Sequence, residues 1–298
     1  MHYICSINTL VMSLYKTSEA HATMMRLYDE KLAACNIEYE SVYVDTPAGK
    51  THVIVSGERH LPPLVVFHGV NAGAPLALEA IKHLNKTYRI YGIDTVGQAT
   101  RSAETRLPMK GDAYGRWISA TLDGLGLEKV NVIAISYGAF LLQKMMQFEA
   151  DRLLKSIFVV PSGFVSGNFW RSLKELSFPL MKFLRSKKEV DLLKFMDAFF
   201  ITKDAHSIEM QKTLLLGFKM DYRRPILVKK EDVSNVSTPV YVMVADNDIF
   251  FPGDKTLKRC SEIFPTLKDK YILLNSKHIP DQSRYDEIEE KIAEWLSN

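Results

Sequence analysis

The stretch VIAISYGAF, residues 132–140, is a run of β-branched and small apolar residues that stops at a serine. Such side chains favour extended backbone. The following AFLLQKMMQF, residues 139–148, carries apolar residues at helical spacing. Ser136 therefore sits where a strand passes directly into a helix. In so tight a turn the residues two before and two after the serine must be small, or their side chains collide with the turn and its neighbours. The usual pattern is Gly-x-Ser-x-Gly. Here it reads Ala134-Ile135-Ser136-Tyr137-Gly138, with one methyl group added at the first position.

Working outward, PLVVFHG, YRIYGID, VNVIAIS and LKSIFVV are short, nearly continuous apolar runs, as strands covered on both faces require. Between them the spacing predicts helices over 74–85, 112–125 and 139–150. Ahead of them lie a helix over 17–35 and a hairpin, SVYVDT and THVIVSG, joined by Pro47-Ala48-Gly49-Lys50. The Gly49-Lys50-Thr51 triplet is no phosphate loop: Val44 stands where that motif needs a glycine, and a strand follows instead of a helix. Later come PVYVMVA, a helix over 254–264, YILLN, and a last helix over 284–296. The alternation predicts a doubly wound α/β sheet of eight strands, the first two antiparallel.

Residues 162–236 interrupt that alternation. FWRSLKELSFPLMKFLRS, KKEVDLLKFMDAFFI and SIEMQKTLLLGFKM read as amphipathic helices, with Pro179 breaking the first. Eight of the fifteen phenylalanines fall here. Helix packing accounts for many of them; as a block beside a strand end, they are expected to roof the carboxyl edge of the sheet, where open α/β folds bind ligands. The expected organisation is a tail and helix over 1–35, core over 36–161, a helical cap over 162–236, and the rest of the core over 237–298.

A serine hydroxyl needs a base to take its proton, and the base needs a third group to hold its tautomer. After an elbow of this kind the expected order is serine, acid, histidine. PVYVMVADNDIFFP supplies Asp246 and Asp248 straight after a strand, and YILLNSKHIPD supplies His278 after the last one. LKSIFVV ends in Pro161-Ser162-Gly163, so the other acid position is empty. The remaining histidines suggest no metal site; His206 and His83 read as solvated.

A net charge of +3 over 298 residues does not suit nucleic acid or an anionic membrane. Cys5, Cys35 and Cys260 form no Cys-x-x-Cys pair, which argues against zinc and disulfides and for a reducing compartment. The opening MHYICSINTLVMSLYK lacks a secretory n-region and cleavage site, and its apolar part is too short to span a bilayer. It reads as a poorly ordered tail, with Met12 a plausible start, in a cytoplasmic protein without cofactor or metal.

With these residues in view, the chain resembles the α/β-hydrolases, and among them the small bacterial carboxylesterases with a helical cap inserted after strand 6. The resemblance runs from LYDEKLAACNIEYESVYVDTPAGKTHVIVSG to the final helix. It includes Phe67-His68-Gly69-Val70, the loop Asp94-Thr95-Val96-Gly97 with Ser102 beyond, and the acid segment Ala245-Asp246-Asn247-Asp248 with Pro252. The spacing to Pro252 selects Asp248 as the acid. Ala134, Ala245 and Lys277 depart from the pattern, and Lys277 is expected to point to solvent. The resemblance implies an oxyanion hole from the backbone N–H groups of Val70 and Tyr137, with His68 a structural residue beneath that loop. It implies a Ser136–His278–Asp248 serine hydrolase acting on a small lipophilic carboxylic ester through an acyl-enzyme. Carbon–carbon bond or thioester hydrolysis by the same residues, or a ligand-binding or signalling protein with little turnover, are the alternatives.

Overall fold

The computed structural model describes residues 13–298, so Met12 and the residues before it lie outside the described residues. Ser13–Lys16, expected to belong to the poorly ordered tail, are instead packed, with Tyr15 buried and bridged to Phe218 and the Lys16 N–H donating to the Gly217 carbonyl at 2.8 Å. Strands β1 (Glu40–Thr46) and β2 (Gly49–Ser56) form the hairpin, joined through Pro47-Ala48. Then follow β3 (Pro63–Phe67), β4 (Arg89–Ile93), β5 (Val130–Ile135), β6 (Leu153–Val159), β7 (Val240–Ala245) and β8 (Leu267–Leu273). They make an eight-stranded sheet in the order β1-β2-β4-β3-β5-β6-β7-β8. The β1/β2 and β2/β4 pairs are antiparallel and the others parallel.

The burial pattern explains the order. All of β7 is buried, as is most of β3 and β5, whereas the edge strands β1 and β8 alternate between exposed and covered positions. The chain runs from β3 outward to β4 and then returns to place β5 on the other side of β3. At that switch the loops after Phe67 and Ile135 lie side by side, which is where a doubly wound sheet opens a crevice.

The helices are α1 (Ser18–Ala34), α2 (Gly73–Glu79), α3 (Ala113–Gly124), α4 (Gly138–Glu149) and the single turn α5 (Phe169–Ser172). Next come α6 (Phe178–Ser186), α7 (Glu189–Met196), α8 (Ala205–Gly217), α9 (Gly253–Ile263) and α10 (Tyr285–Ser297). Thr17 caps α1 as expected, its hydroxyl accepting from the Ala20 N–H at 3.1 Å. One face of the sheet packs Trp117, Phe140, Phe158 and Phe264 into a core with α3, α4 and α9. The other packs Leu78, Ile133, Ile157 and Trp295 beneath α1, α2 and α10.

Three expectations need correction. The helix predicted over 74–85 is split: α2 ends at Glu79, and a 3₁₀ turn follows over Lys82–Lys86. Ile81, between them, leaves helical backbone at φ −142°, and the break lets Ile81 and Leu84 both bury. The last strand starts at Leu267, ahead of YILLN. Pro179 does not break its helix. A π-helical stretch over Leu173–Ser177 runs straight into α6, where the proline occupies the first turn. A wider turn ahead of a residue without an N–H spares the ring its collision with a preceding carbonyl.

Helices α5 to α8 lie between β6 and β7. Phe183, Phe199 and Phe200 form a small core with Leu192, Met196 and Ile249, so packing does account for those rings. Phe164 belongs instead to the main core, 5.2 Å from Phe158 between ring centres, and Phe169 and Phe178 are exposed. The insertion is stitched to the loop after β8: Ile279 N–H donates to the Phe199 carbonyl at 2.9 Å, and Phe200 pairs with Ile279 as a parallel bridge.

Candidate active site

Strand β5 delivers Ser136 at φ +52°, the left-handed region that a side-chain-bearing residue rarely adopts. Three backbone hydrogen bonds hold it there. Its N–H donates to Val159 at 2.9 Å, and its carbonyl accepts from Ala139 and Ser162, both at 3.1 Å. The glycine this turn cannot lose is Gly138, where an added Cβ would lie 2.3 Å from the Phe67 carbonyl oxygen. Ala134 is fully buried in the β5 core, where its methyl is accommodated. Immediately behind the turn Val160 also has positive φ, +42°, and its N–H donates to Met243 at 2.8 Å. For a β-branched residue that is a true outlier, and such strain persists only where surrounding contacts over-determine the backbone.

The structure brings Ser136, His278 and Asp248 together. Ser136 Oγ lies 2.8 Å from His278 Nε2, and His278 Nδ1 lies 2.7 Å from Asp248 Oδ2. With Nδ1–H donating to the carboxylate, Nε2 presents its lone pair to the serine. Asp248 is buried, and its other oxygen accepts from the Phe250 and Phe251 N–H groups at 2.8 and 3.1 Å. Those phenylalanine rings stand edge-on to the imidazole at 5.0 and 5.5 Å, fencing it from water on that side.

Asp246 does something else. Its carboxylate accepts from the Asn275 and Ser276 N–H groups at 2.8 and 2.9 Å, pinning the loop that carries His278. Burial would raise its pKa, but these backbone donors outweigh it and hold the carboxyl below the ordinary range. Lys277 does not run free into solvent: its ammonium donates to the Asp197 carbonyl at 2.5 Å, tying the same loop to the end of α7.

The loop after β3 comes close to the serine. A Cβ on Gly69 would be 3.5 Å from Ser136 Cβ and 4.0 Å from Oγ. Among the described residues, neither the Val70 nor the Tyr137 N–H donates to a protein acceptor, so both remain available on this loop and at the head of α4. His68 is fully buried and braces the loop: Nδ1–H donates to the Gly69 carbonyl at 2.6 Å, and Nε2 accepts from the Thr95 N–H at 3.0 Å. Desolvation dominates its environment and lowers its pKa, keeping the ring neutral. Asn71, at φ +52°, is held by Gln98, whose side-chain oxygen accepts its N–H at 2.6 Å. Sequence reasoning passed over Asn71 and Gln98; asparagine just past His-Gly-x, tolerant of left-handed backbone, was the available signal.

One other histidine differs from expectation. His206 is not solvated but reaches the Leu27 carbonyl at 2.9 Å, joining α8 to α1. His52, which had no assigned role, is completely buried against Asp94 at 2.9 Å. His83 is half exposed and pairs with Glu289 at 2.8 Å. Among the described residues no group of three or more His, Cys, Asp or Glu side chains converges to hold a metal ion. No helix of the described residues is long and apolar enough to cross a membrane. A cavity of about 550 Å³ opens beside α4, between Lys110, Phe140, Lys144 and Leu227, and none of Ser136, Asp248 and His278 lines it.

A family profile described as alpha/beta hydrolase fold matches residues 62–224, more than half of the chain. Carboxylesterase YbfK of Bacillus subtilis (strain 168) is 20% identical over 293 residues, which cover 93% of this chain and 95% of the relative. Among solved structures, naproxen esterase (carboxylesterase NP) from Bacillus subtilis superposes with a TM-score of 0.79 at 18% identity, covering 94% of this chain and 99% of that one. A meta-cleavage product hydrolase from Pseudomonas fluorescens IP01 superposes at 0.65 and 16% identity, covering 88% and 98%. Likenesses at these identities speak to the fold.

Proposed function

This chain belongs to the α/β-hydrolase fold family, and from that premise we propose that it hydrolyses small lipophilic carboxylic esters through an acyl-enzyme on Ser136. The observation that carries the reading is the unbroken relay from Ser136 Oγ through His278 to buried Asp248, beside two free backbone N–H groups. Ser136 attacks the ester carbonyl while His278 Nε2 takes its proton. The N–H groups of Val70 and Tyr137 stabilise the oxyanion, and Asp248 stabilises the imidazolium. His278 then protonates the departing alcohol, and water, deprotonated by the same imidazole, releases the acid. Phe199, Phe250 and Phe251 make the surroundings of His278 apolar, which favours lipophilic groups. In this reading residues 162–236 act as the roof over the site. The esterase names of the relatives agree with it.

The test is hydrolysis of p-nitrophenyl esters from acetate to octanoate by the wild type and by Ser136→Ala. Turnover that disappears in the variant supports the reading. Saturable ester binding with no turnover above the variant would favour a binding or signalling role instead.

A further inference from the structure

A second serine, histidine and carboxylate are aligned on other elements of the sheet. Ser41 Oγ on β1 lies 2.7 Å from His52 Nε2 on β2, and His52 Nδ1 lies 2.9 Å from Asp94 Oδ2, just past β4. His52 and Asp94 are fully buried, whereas Ser41 is exposed. Asp94 also accepts from the Ala74 N–H at 2.8 Å and the Arg101 N–H at 3.2 Å. Burial is the largest influence on its pKa and would raise it. The His52 hydrogen bond and the Ala74 donor oppose that, and the carboxyl is held below its ordinary range. An ionised carboxylate at Nδ1 fixes the proton there, so Nε2 turns its lone pair to the Ser41 hydroxyl. The Tyr43 ring packs tilted against His52, 4.9 Å between ring centres, and the Tyr28 hydroxyl lies 3.3 Å from Nδ1, so both sides hold the imidazole in place.

We propose that Ser41 is a second modifiable serine, activated by His52 and Asp94, that accepts one acyl or phosphoryl group from a compact reactive electrophile such as an activated ester or a fluorophosphonate. In the step, Ser41 Oγ bonds to the acyl carbon or phosphorus as its proton passes to His52 Nε2. The bond to the leaving group, a phenolate or fluoride, breaks, and that group carries the proton away from the imidazole. Ser41 lies within a regular strand, without the elbow amide and helix head found at Ser136. The adduct therefore forms without rapid release, and the site takes a group once instead of turning over.

The experiment uses the full-length Ser136→Ala protein, so that the elbow serine cannot compete. It is treated with a fluorophosphonate, digested with trypsin, and followed by mass spectrometry. The peptide of residues 32–50 holds Ser41 as its single serine. Ser234 and Ser261, exposed hydroxyls bonded to backbone carbonyls, are internal controls. The expected result is labelling of Ser41 about 100-fold faster than of either control, the usual scale of a positioned base. That rate should fall by a similar factor in Ser136→Ala/His52→Gln. No adduct on Ser41, a rate equal to the controls, or a rate indifferent to His52→Gln overturns the proposal. Should His52→Gln fail to fold, the comparison with Ser234 and Ser261 decides alone.

Discussion

At Ser136 the hydroxyl-to-imidazole and imidazole-to-carboxylate distances are 2.8 and 2.7 Å; at Ser41 they are 2.7 and 2.9 Å. The surroundings differ far more than the distances. Ser136 stands on left-handed backbone at the head of α4, close to the Gly69 loop, with its imidazole walled by phenylalanine. Ser41 stands on an extended edge strand, above an imidazole that is wholly inside the protein. Asp248 accepts from its own loop, whereas Asp94 accepts from Ala74 and Arg101 and so joins the head of α2 and the loop after β4 to the hairpin. A relay of this kind raises the reactivity of a hydroxyl. What lies around the developing oxyanion decides whether that reactivity becomes turnover.

The largest contrast is expected from removing each hydroxyl. Ser136→Ala should lower kcat/KM for p-nitrophenyl butyrate by roughly 10⁴-fold or more, and Ser41→Ala by no more than about twofold. Equal losses would end the distinction between the two sites.

The carboxylates should separate chemistry from stability. Asp248→Asn is expected to lower kcat by roughly 10³- to 10⁴-fold. Asp94→Asn should instead destabilise the fold by about 1–3 kcal/mol, because an amide nitrogen replaces one of the two oxygens that accept from buried donors. Thermal melts beside steady-state kinetics measure both. The pH dependence has a defined sign. Since the folded pKa of Asp94 is depressed, its contribution is full above the ordinary carboxylate value and is lost as pH falls through the lower folded value. The acid limb of the wild-type melting curve should accordingly be steeper than that of Asp94→Asn.

Smaller effects test the frame around Ser136. Asp246→Ala should reduce kcat by about tenfold with little change in KM, since it frees the loop bearing His278 without touching substrate. Gly138→Ala should destabilise by about 1–3 kcal/mol as β3 gives way to the new methyl. Restoring the usual glycine with Ala134→Gly should cost about 0.5–1 kcal/mol in denaturant titrations and bring no gain in rate.

Ser136, His278 and an acid after β7 were legible because each follows an apolar run that can only be a strand; chain order left Asp246 and Asp248 both open, and the resemblance, through the spacing to Pro252, chose Asp248. The same logic placed β3 to β7 and most of the helices. What escaped depends on contacts between segments distant in sequence. His52 and Asp94 are 42 residues apart and meet only because β2 pairs with β4. The split near Ile81 follows from what that side chain packs against, and the π turn before Pro179 is a local solution that periodicity does not encode. Lys277 was judged by its charge, but the nearby Asp197 carbonyl decides its direction.

The stitching of Ile279 to Phe199, and of Lys277 to Asp197, joins the helical insertion to the residues on both sides of His278. A part so joined cannot swing aside as an independent door. A displacement of this segment that kept both contacts would carry Lys277 and Ile279, the two neighbours of His278, along with it.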